Sequence, residues 1–411
     1  MRPYCAKSPL AAPHLTLLAA SALTLAACGA GDETARDLPL AADFPEVYRV
    51  GGQDAPDWAQ FTGRGPVGFD GAGNLYILDP FAPHVVVIDP QGELVRTIGR
   101  AGVGPGEFRF PYHLAVWRDG RLAVSDIARG AILVFGPGGE FARSVATGTL
   151  PELIRPDPNA DALYAQGSSG EDDGMDDFSI GRLDLSADDV ASDVVLRAWR
   201  APREDPPGEV SADDFLDSSG NVSAARMLMI GGALDGVFFE PALRWDILAD
   251  GRVAYADSSA YAIRIVTPGG SEVEVLMRSI PPEAVTDGLR AAAIEREIGR
   301  YTELLEDQGG MTREFREGIE ERGFYPEVPV IREIRSTWQG WLWVRRTAAE
   351  PWDDQGPIDV FGPDRQYLGT FLAGTATMPE AFGPDGLVAY WELDELDVAT
   401  IVVKKLTEEL R

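Results

Sequence analysis

The sequence predicts an all-β fold, a six-bladed β-propeller with a helical insertion between blades four and five. Three observations carry that prediction. The phrase Gly73-Asn74-Leu75-Tyr76-Ile77-Leu78-Asp79 returns as Gly120-Arg121-Leu122-Ala123-Val124-Ser125-Asp126 and as Gly251-Arg252-Val253-Ala254-Tyr255-Ala256-Asp257. Weaker copies centre on Leu163, Leu342 and Leu387. The copies are separated by roughly one blade length, about 40–45 residues, or by about twice that. A second apolar run and a Gly/Pro turn follow most copies, as at Val85–Ile88 before Asp89-Pro90-Gln91-Gly92 and at Ile132–Phe135 before Gly136-Pro137-Gly138-Gly139. One such strand unit cannot bury its apolar faces alone, so the units must stack.

The elements follow in chain order. Residues 1–27 read as a signal segment, excluded from the fold. Arg2 and Lys7 make its positive end, and Leu15–Leu25 is an apolar run too short to span a bilayer as a helix. The stretch Leu25-Ala26-Ala27-Cys28-Gly29 resembles a bacterial lipobox. The resemblance implies cleavage before Cys28, diacylglycerol on its sulfur and acylation of the new amino group, hence a membrane anchor. Gly29 is not the Asp that marks inner-membrane retention, so the expected location is the bacterial cell envelope, at the outer membrane rather than the inner. Residues 28–44, small and acidic, read as a flexible tether. The propeller is expected over 45–411.

Within it, the order in each blade is inner strand, repeat strand, third strand, outer strand. The outer strands are expected at Leu94–Ile98, Phe141–Ala146, Val194–Trp199, Val273–Met277 and Tyr367–Leu372. Blade six lacks one, because only a charged tail follows Ile401-Val402-Val403. Glu46–Val50 has strand character and is expected to supply that edge and close the ring. The two double-length intervals hold insertions at 200–242 and 281–328. The second reads as helical: Leu289, Ile294, Ile298, Tyr301 and Leu305 fall near 3.6-residue spacing up to Gly309-Gly310, and a shorter helix is expected from Thr312 to Arg322. Both insertions join an outer strand to the next inner strand, so both are expected over one mouth of the channel, as a binding lid or as a plug.

The run Ile98-Gly99-Arg100-Ala101-Gly102-Val103-Gly104-Pro105-Gly106-Glu107-Phe108, then Pro111 and the Asp119–Asp126 unit, resembles the NHL repeat. More narrowly it resembles bacterial six-bladed propeller lipoproteins. The likeness is closest over residues 65–147 and faint in blades three, five and six. It implies a binding scaffold without a uniform activity.

Composition narrows the partners. The formal charge is −30, and the only lysines after residue 27 are Lys404 and Lys405, so no nucleic acid is expected. Cys28 is the only cysteine beyond the signal segment, so packing rather than a disulfide must hold the fold. The glycine run 102–106 lacks the Lys-Ser/Thr of a phosphate loop and reads as a tight inter-blade turn. Asp79, Asp126 and Asp257 read as turn caps. Asp157–Asp161 starts like a calcium loop but lacks its Gly and bidentate Glu, and Glu171–Asp177 reads as a solvated acidic loop.

Two enzyme classes share the architecture. A zinc-dependent amidating lyase needs several histidines, and only His84 and His113 follow residue 27. A calcium-dependent lactonase needs inner-strand asparagine, and Asn74, Asn159 and Asn221 lie elsewhere. The favoured function is therefore a non-catalytic binding or assembly scaffold, monomeric, with a protein or carbohydrate partner and no catalytic residue, cofactor or metal. A lactonase-like hydrolase or a lyase working in the channel is the alternative. The candidate binding residues are His113, Arg155, Arg244 and Arg332, near the inner strands at the channel mouth. Trp341 and Trp343 share one strand face and read as core between blades.

Overall fold

The computed structural model describes residues 36–79, 81–146, 151, 153–167, 178–186, 191–200, 237–270, 273–306 and 310–411. The signal segment, Cys28, most of the first insertion (201–236) and the acidic run 171–177 lie outside the described residues.

The chain enters the ring with β1 (Glu46–Gly51). Blade one follows as β2 (Val67–Phe69), β3 (Leu75–Asp79), β4 (His84–Ile88) and β5 (Leu94–Ile98). Blade two is β6 (Pro111–Val116), β7 (Leu122–Asp126), β8 (Ala131–Phe135) and β9 (Phe141–Ala146). Blade three is β10 (Leu153–Pro156), β11 (Ala162–Gln166), β12 (Ser179–Asp184) and β13 (Ala191–Arg197). Blade four is β14 (Arg244–Ile247), β15 (Val253–Ala256), β16 (Ala262–Val266) and β17 (Val273–Met277). A two-stranded sheet, β18 (Glu283–Ala284) with β19 (Glu327–Val328), brackets helices α1 (Asp287–Leu305) and α2 (Arg313–Glu321). Blade five is β20 (Ile331–Ser336), β21 (Leu342–Arg346), β22 (Ile358–Phe361) and β23 (Tyr367–Phe371). β24 (Ala381–Phe382), β25 (Leu387–Leu393) and β26 (Ala399–Lys405) begin blade six, and β1 completes it by pairing antiparallel with β26. Tyr48 and Val50 of β1 are buried in the same cluster as Ile401 and Val403. The first strand in the chain thus has its partner in the last.

Burial explains why the repeat phrase is so apolar. Every residue of β3 and β7 is buried, because neighbouring blades cover both faces of these strands. The polar ends of the phrase are equally determined. Its glycine occupies the left-handed region at the turn between inner and repeat strands, with φ +85° at Gly73, +88° at Gly120 and +86° at Gly251. Its closing aspartate is buried and accepts from backbone. Asp79 takes the N–H groups of Thr62, Phe81 and Ala82, Asp126 those of Arg109, Phe110 and Arg129, and Asp257 that of Trp199. The bonds from Thr62, Arg109, Phe110 and Trp199 fasten the segment that enters the blade, and those from Phe81, Ala82 and Arg129 cap the turn that follows, as the turn-cap reading expects.

The glycine run is a closed turn. Phe108 N–H donates to the Arg100 carbonyl and Gly102 N–H to the Phe108 carbonyl, while Glu107 accepts from Gly104 N–H. Gly99 has φ +74°, and a Cβ there would lie 2.2 Å from the Phe108 ring, which is itself fully buried. The insertions meet one another. Thr286 and Thr312 cap α1 and α2 by accepting from Leu289 and Phe315 N–H. The helices pack through Ile298, Tyr301, Leu305, Phe315 and Ile319. Phe238, at the end of the first insertion, exchanges backbone bonds with Gly323 and Tyr325 and stacks on Phe324 at 4.8 Å. No helix among the described residues is long and apolar enough to cross a membrane.

One expectation needs correction. The described part of the tether, residues 36–44, is folded onto blade five. Leu38 and Leu40 exchange backbone bonds with Thr370 of β23, and Leu40, Ala42 and Phe44 pack on the Trp343 cluster. Asp37 bonds the guanidinium groups of Arg278 (3.0 Å) and Arg346 (2.6 Å). The alternation Leu40, Ala42, Phe44 gives the segment a strand-like apolar face that outweighs its small, acidic composition, while Leu38 stays exposed.

Candidate channel-binding site

The six inner strands surround a central cavity of about 170 Å³. It reaches from the strand interiors into the turns that follow them, at Trp117-Arg118, Asp157-Pro158, Leu248-Ala249 and Thr337-Trp338. The described end of the first insertion (237–242) and α1–α2 attach instead at the starts of inner strands, whereas the cavity reaches the turns at their ends.

The wall built by blades three to five is polar. Arg155, in the middle of β10, donates through Nε to Asp246 at 2.7 Å. The other Asp246 oxygen accepts the Ser336 backbone N–H at 2.7 Å, so one carboxylate ties β10, β14 and β20 together. Arg335 donates through Nε to Glu333 at 2.8 Å, and Arg345 from β21 holds the other Glu333 oxygen at 3.0 Å. Burial pushes the Glu333 carboxyl up, but the arginines prevail and hold it below the usual range. Glu380, the residue before β24, is exposed at the cavity, and partial burial by the surrounding blades raises its pKa against the pull of Arg335. The wall from blades one, two and six is apolar, with Val67, Phe69, Leu114, Val116, Ala381 and Phe382.

Of the four residues the sequence singled out, Arg155 lines this cavity. His113 is half-buried and does not line it; burial first and Arg155 second depress its pKa to about 4, opposed by a bond to the Pro151 carbonyl. Arg244 starts β14 and Arg332 lies near the start of β20, and neither lines the cavity. The Arg332 guanidinium is held below its usual range by burial and by Arg345. The four therefore do not form one ring of binding groups. A register shift between Ile331 and Glu333 is the reason in blade five: the bulge changes which side chains share a face and gives Arg335 to the channel. Asp246, Arg335 and Glu380 were missed. Sequence patterning finds inner strands, but it does not reveal a bulge inside one.

Two carboxylates, Asp246 and Glu380, line the cavity beside the arginines, and Glu333 is paired with Arg335 and Arg345. Among the described residues no group of three or more His, Cys, Asp or Glu is placed to hold a metal ion. Trp343 is fully buried against Phe371 and Phe382, as expected of inter-blade core, while Trp338 lines the cavity beneath the Arg118 guanidinium at 4.8 Å.

The depressed His113 pKa has a measurable consequence. The unfolded chain takes up this proton near pH 6.5, but the folded chain does so only near pH 4. The contribution is fully present above pH 6.5 and is lost as pH falls through 4. His113→Gln is expected to lose about 2 kcal/mol less stability than the natural chain between pH 7 and about pH 4.5. Urea midpoints at the two pH values check this, and parallel losses in both proteins would contradict it.

No protein-family model matches the chain, and no curated protein matches it. Solved structures do. An exported protein from Bacteroides fragilis is similar over 91% of this chain and 98% of its own, at 12% identity and a TM-score of 0.50. A member of the DUF4221 family from Bacteroides vulgatus is similar over 88% and 98%, at 10% identity and a TM-score of 0.50. Virginiamycin B lyase from Staphylococcus aureus aligns over 83% and 80% at 12% identity, with a TM-score of 0.37. At these identities the likeness to the two Bacteroides proteins is one of fold: the chain is an all-β six-bladed propeller.

Proposed function

We propose that the chain is a non-catalytic binding scaffold of the bacterial NHL-type propeller lipoproteins, anchored in the cell envelope through Cys28 and taking a small ligand into its channel. The observation that carries the binding reading is the channel wall itself. Asp246 and Glu333 are committed to arginines and to backbone, so neither stands ready as a general base or metal ligand, while cationic edges still face the cavity. The lipobox-like Leu25–Gly29 supports export and anchoring, and the exported Bacteroides neighbour is consistent with export.

Equilibrium dialysis of the purified protein against small-molecule envelope extract tests the function. A scaffold enriches a compound unchanged, and an Arg335→Met channel loses that enrichment. A hydrolase or lyase returns altered products, which would contradict the reading. The anchor has its own test. Cys28→Ala is expected to abolish metabolic lipid labelling and to release the protein from membranes; unchanged labelling would refute the anchor alone.

A further inference from the structure

The channel's polar groups do not fully satisfy one another. Arg335 uses Nε on Glu333, and its two Nη groups have no hydrogen-bond partner among the described residues. Arg155 uses Nε on Asp246 and Nη1 on the Ile154 carbonyl, which leaves Nη2 without one. Arg335 is near enough to disfavour the Arg155 charge, while at Arg335 itself burial is outweighed by Glu333 and Asp246, which hold its guanidinium above the usual range. Like charges facing one cavity are relieved by an anion between them, and a guanidinium edge suits the planar geometry of a carboxylate. Glu380 also faces the cavity, and its carboxylate has no hydrogen-bond partner among the described residues.

These features select against simpler ligands. A plain anion would leave Glu380 unpaired and would be repelled by it. A plain cation would be repelled by Arg155 and Arg335. The apolar wall of Phe69, Val116 and Phe382 adds a surface that a wholly polar ligand leaves bare. We propose that the channel takes a small zwitterion of the amino-acid class, its carboxylate between Arg155 and Arg335, its ammonium at Glu380, and an apolar side chain against Phe69, Val116 and Phe382. The assignment rests on the channel-binding function proposed above and names its ligand class.

Isothermal titration of the purified full-length mature protein with L-leucine, L-valine and L-phenylalanine tests it. The comparison probes are 4-methylpentanoate, isoamylamine and inorganic phosphate. At least one amino acid is expected to bind about tenfold or more tighter than either half-ligand and than phosphate. Glu380→Gln should weaken the amino acid by about tenfold and leave 4-methylpentanoate unchanged, whereas Arg335→Met should weaken both. Glu380→Gln removes no hydrogen bond within the fold, so its folding is not at issue; circular dichroism verifies Arg335→Met. Equal binding of leucine and 4-methylpentanoate, both lost in Arg335→Met, would overturn the zwitterion and keep the channel as a binding site. No binding of any amino acid, while dialysis still enriches another compound, would do the same. No binding together with no enrichment would overturn the channel function as well.

Discussion

Deleting residues 45–50 is expected to destabilise the whole ring, because these residues contribute the outer strand of blade six. Five residue pairs join β1 to β26, from Glu46–Lys404 to Gly51–Thr400. Tyr48 and Val50 bury side chains against blade six and blade one. Burying each such side chain contributes roughly 1.5–3 kcal/mol, and each lost backbone bond costs about 1 kcal/mol more. The sum is on the order of 5 kcal/mol or above, comparable with the whole stability of an ordinary domain. The deletion also bares the edge of β26, which can then pair with other chains. Thermal melting with light scattering reads both effects. An unchanged midpoint without aggregation would show that the ring does not depend on its N-terminal strand.

The second large effect is expected at Arg278. Its side chain is 2% exposed and lies 2.8 Å from Asp359, which is fully buried. It also bonds Asp37 at 3.0 Å and stacks over the Tyr367 ring at 4.1 Å. Thr370 donates to the same Asp359 oxygen at 2.6 Å. Removing Arg278 leaves the buried Asp359 with Arg346 alone, at 3.3 Å and without a hydrogen bond between them, so the cost is expected to approach the about 3–5 kcal/mol of a broken buried pair. Arg278→Ala should therefore lose about that much in urea unfolding. Asp37→Ala should lose less, because Asp37 is partly exposed and Arg278 retains Asp359. A double variant should lose less than the sum, since the two residues share one network. Additive losses would mean that the N-terminal segment is not coupled to blades four and five through this arginine.

How much of this was legible in the sequence differs by element. The six blades were, because each repeat strand is covered on both faces and must be written as an apolar run between turn residues, as Leu75–Leu78 before Asp79 and Leu122–Val124 before Ser125-Asp126 are. The closing strand was legible as well, by elimination: blade six ends at Lys405 with one strand too few, and Glu46–Gly51 has the right character. The segment 36–44 was misread because its composition is that of a linker, whereas its periodicity is that of a strand. In the channel, Arg155 could be placed because β10 runs without a bulge. Arg335 could not, because the irregularity between Ile331 and Glu333 breaks the two-residue parity on which such assignments depend. Glu380 precedes a two-residue inner strand, too short to leave a pattern.

The most direct measurement is a crystal structure of the mature protein soaked with the amino acid that binds most tightly in titration. Ligand density in the central channel is expected, with the carboxylate within hydrogen-bond distance of Arg155 and Arg335 and the ammonium at Glu380. Density seated on the helices of the insertion, or an empty channel at saturating ligand, would contradict the channel as the binding site.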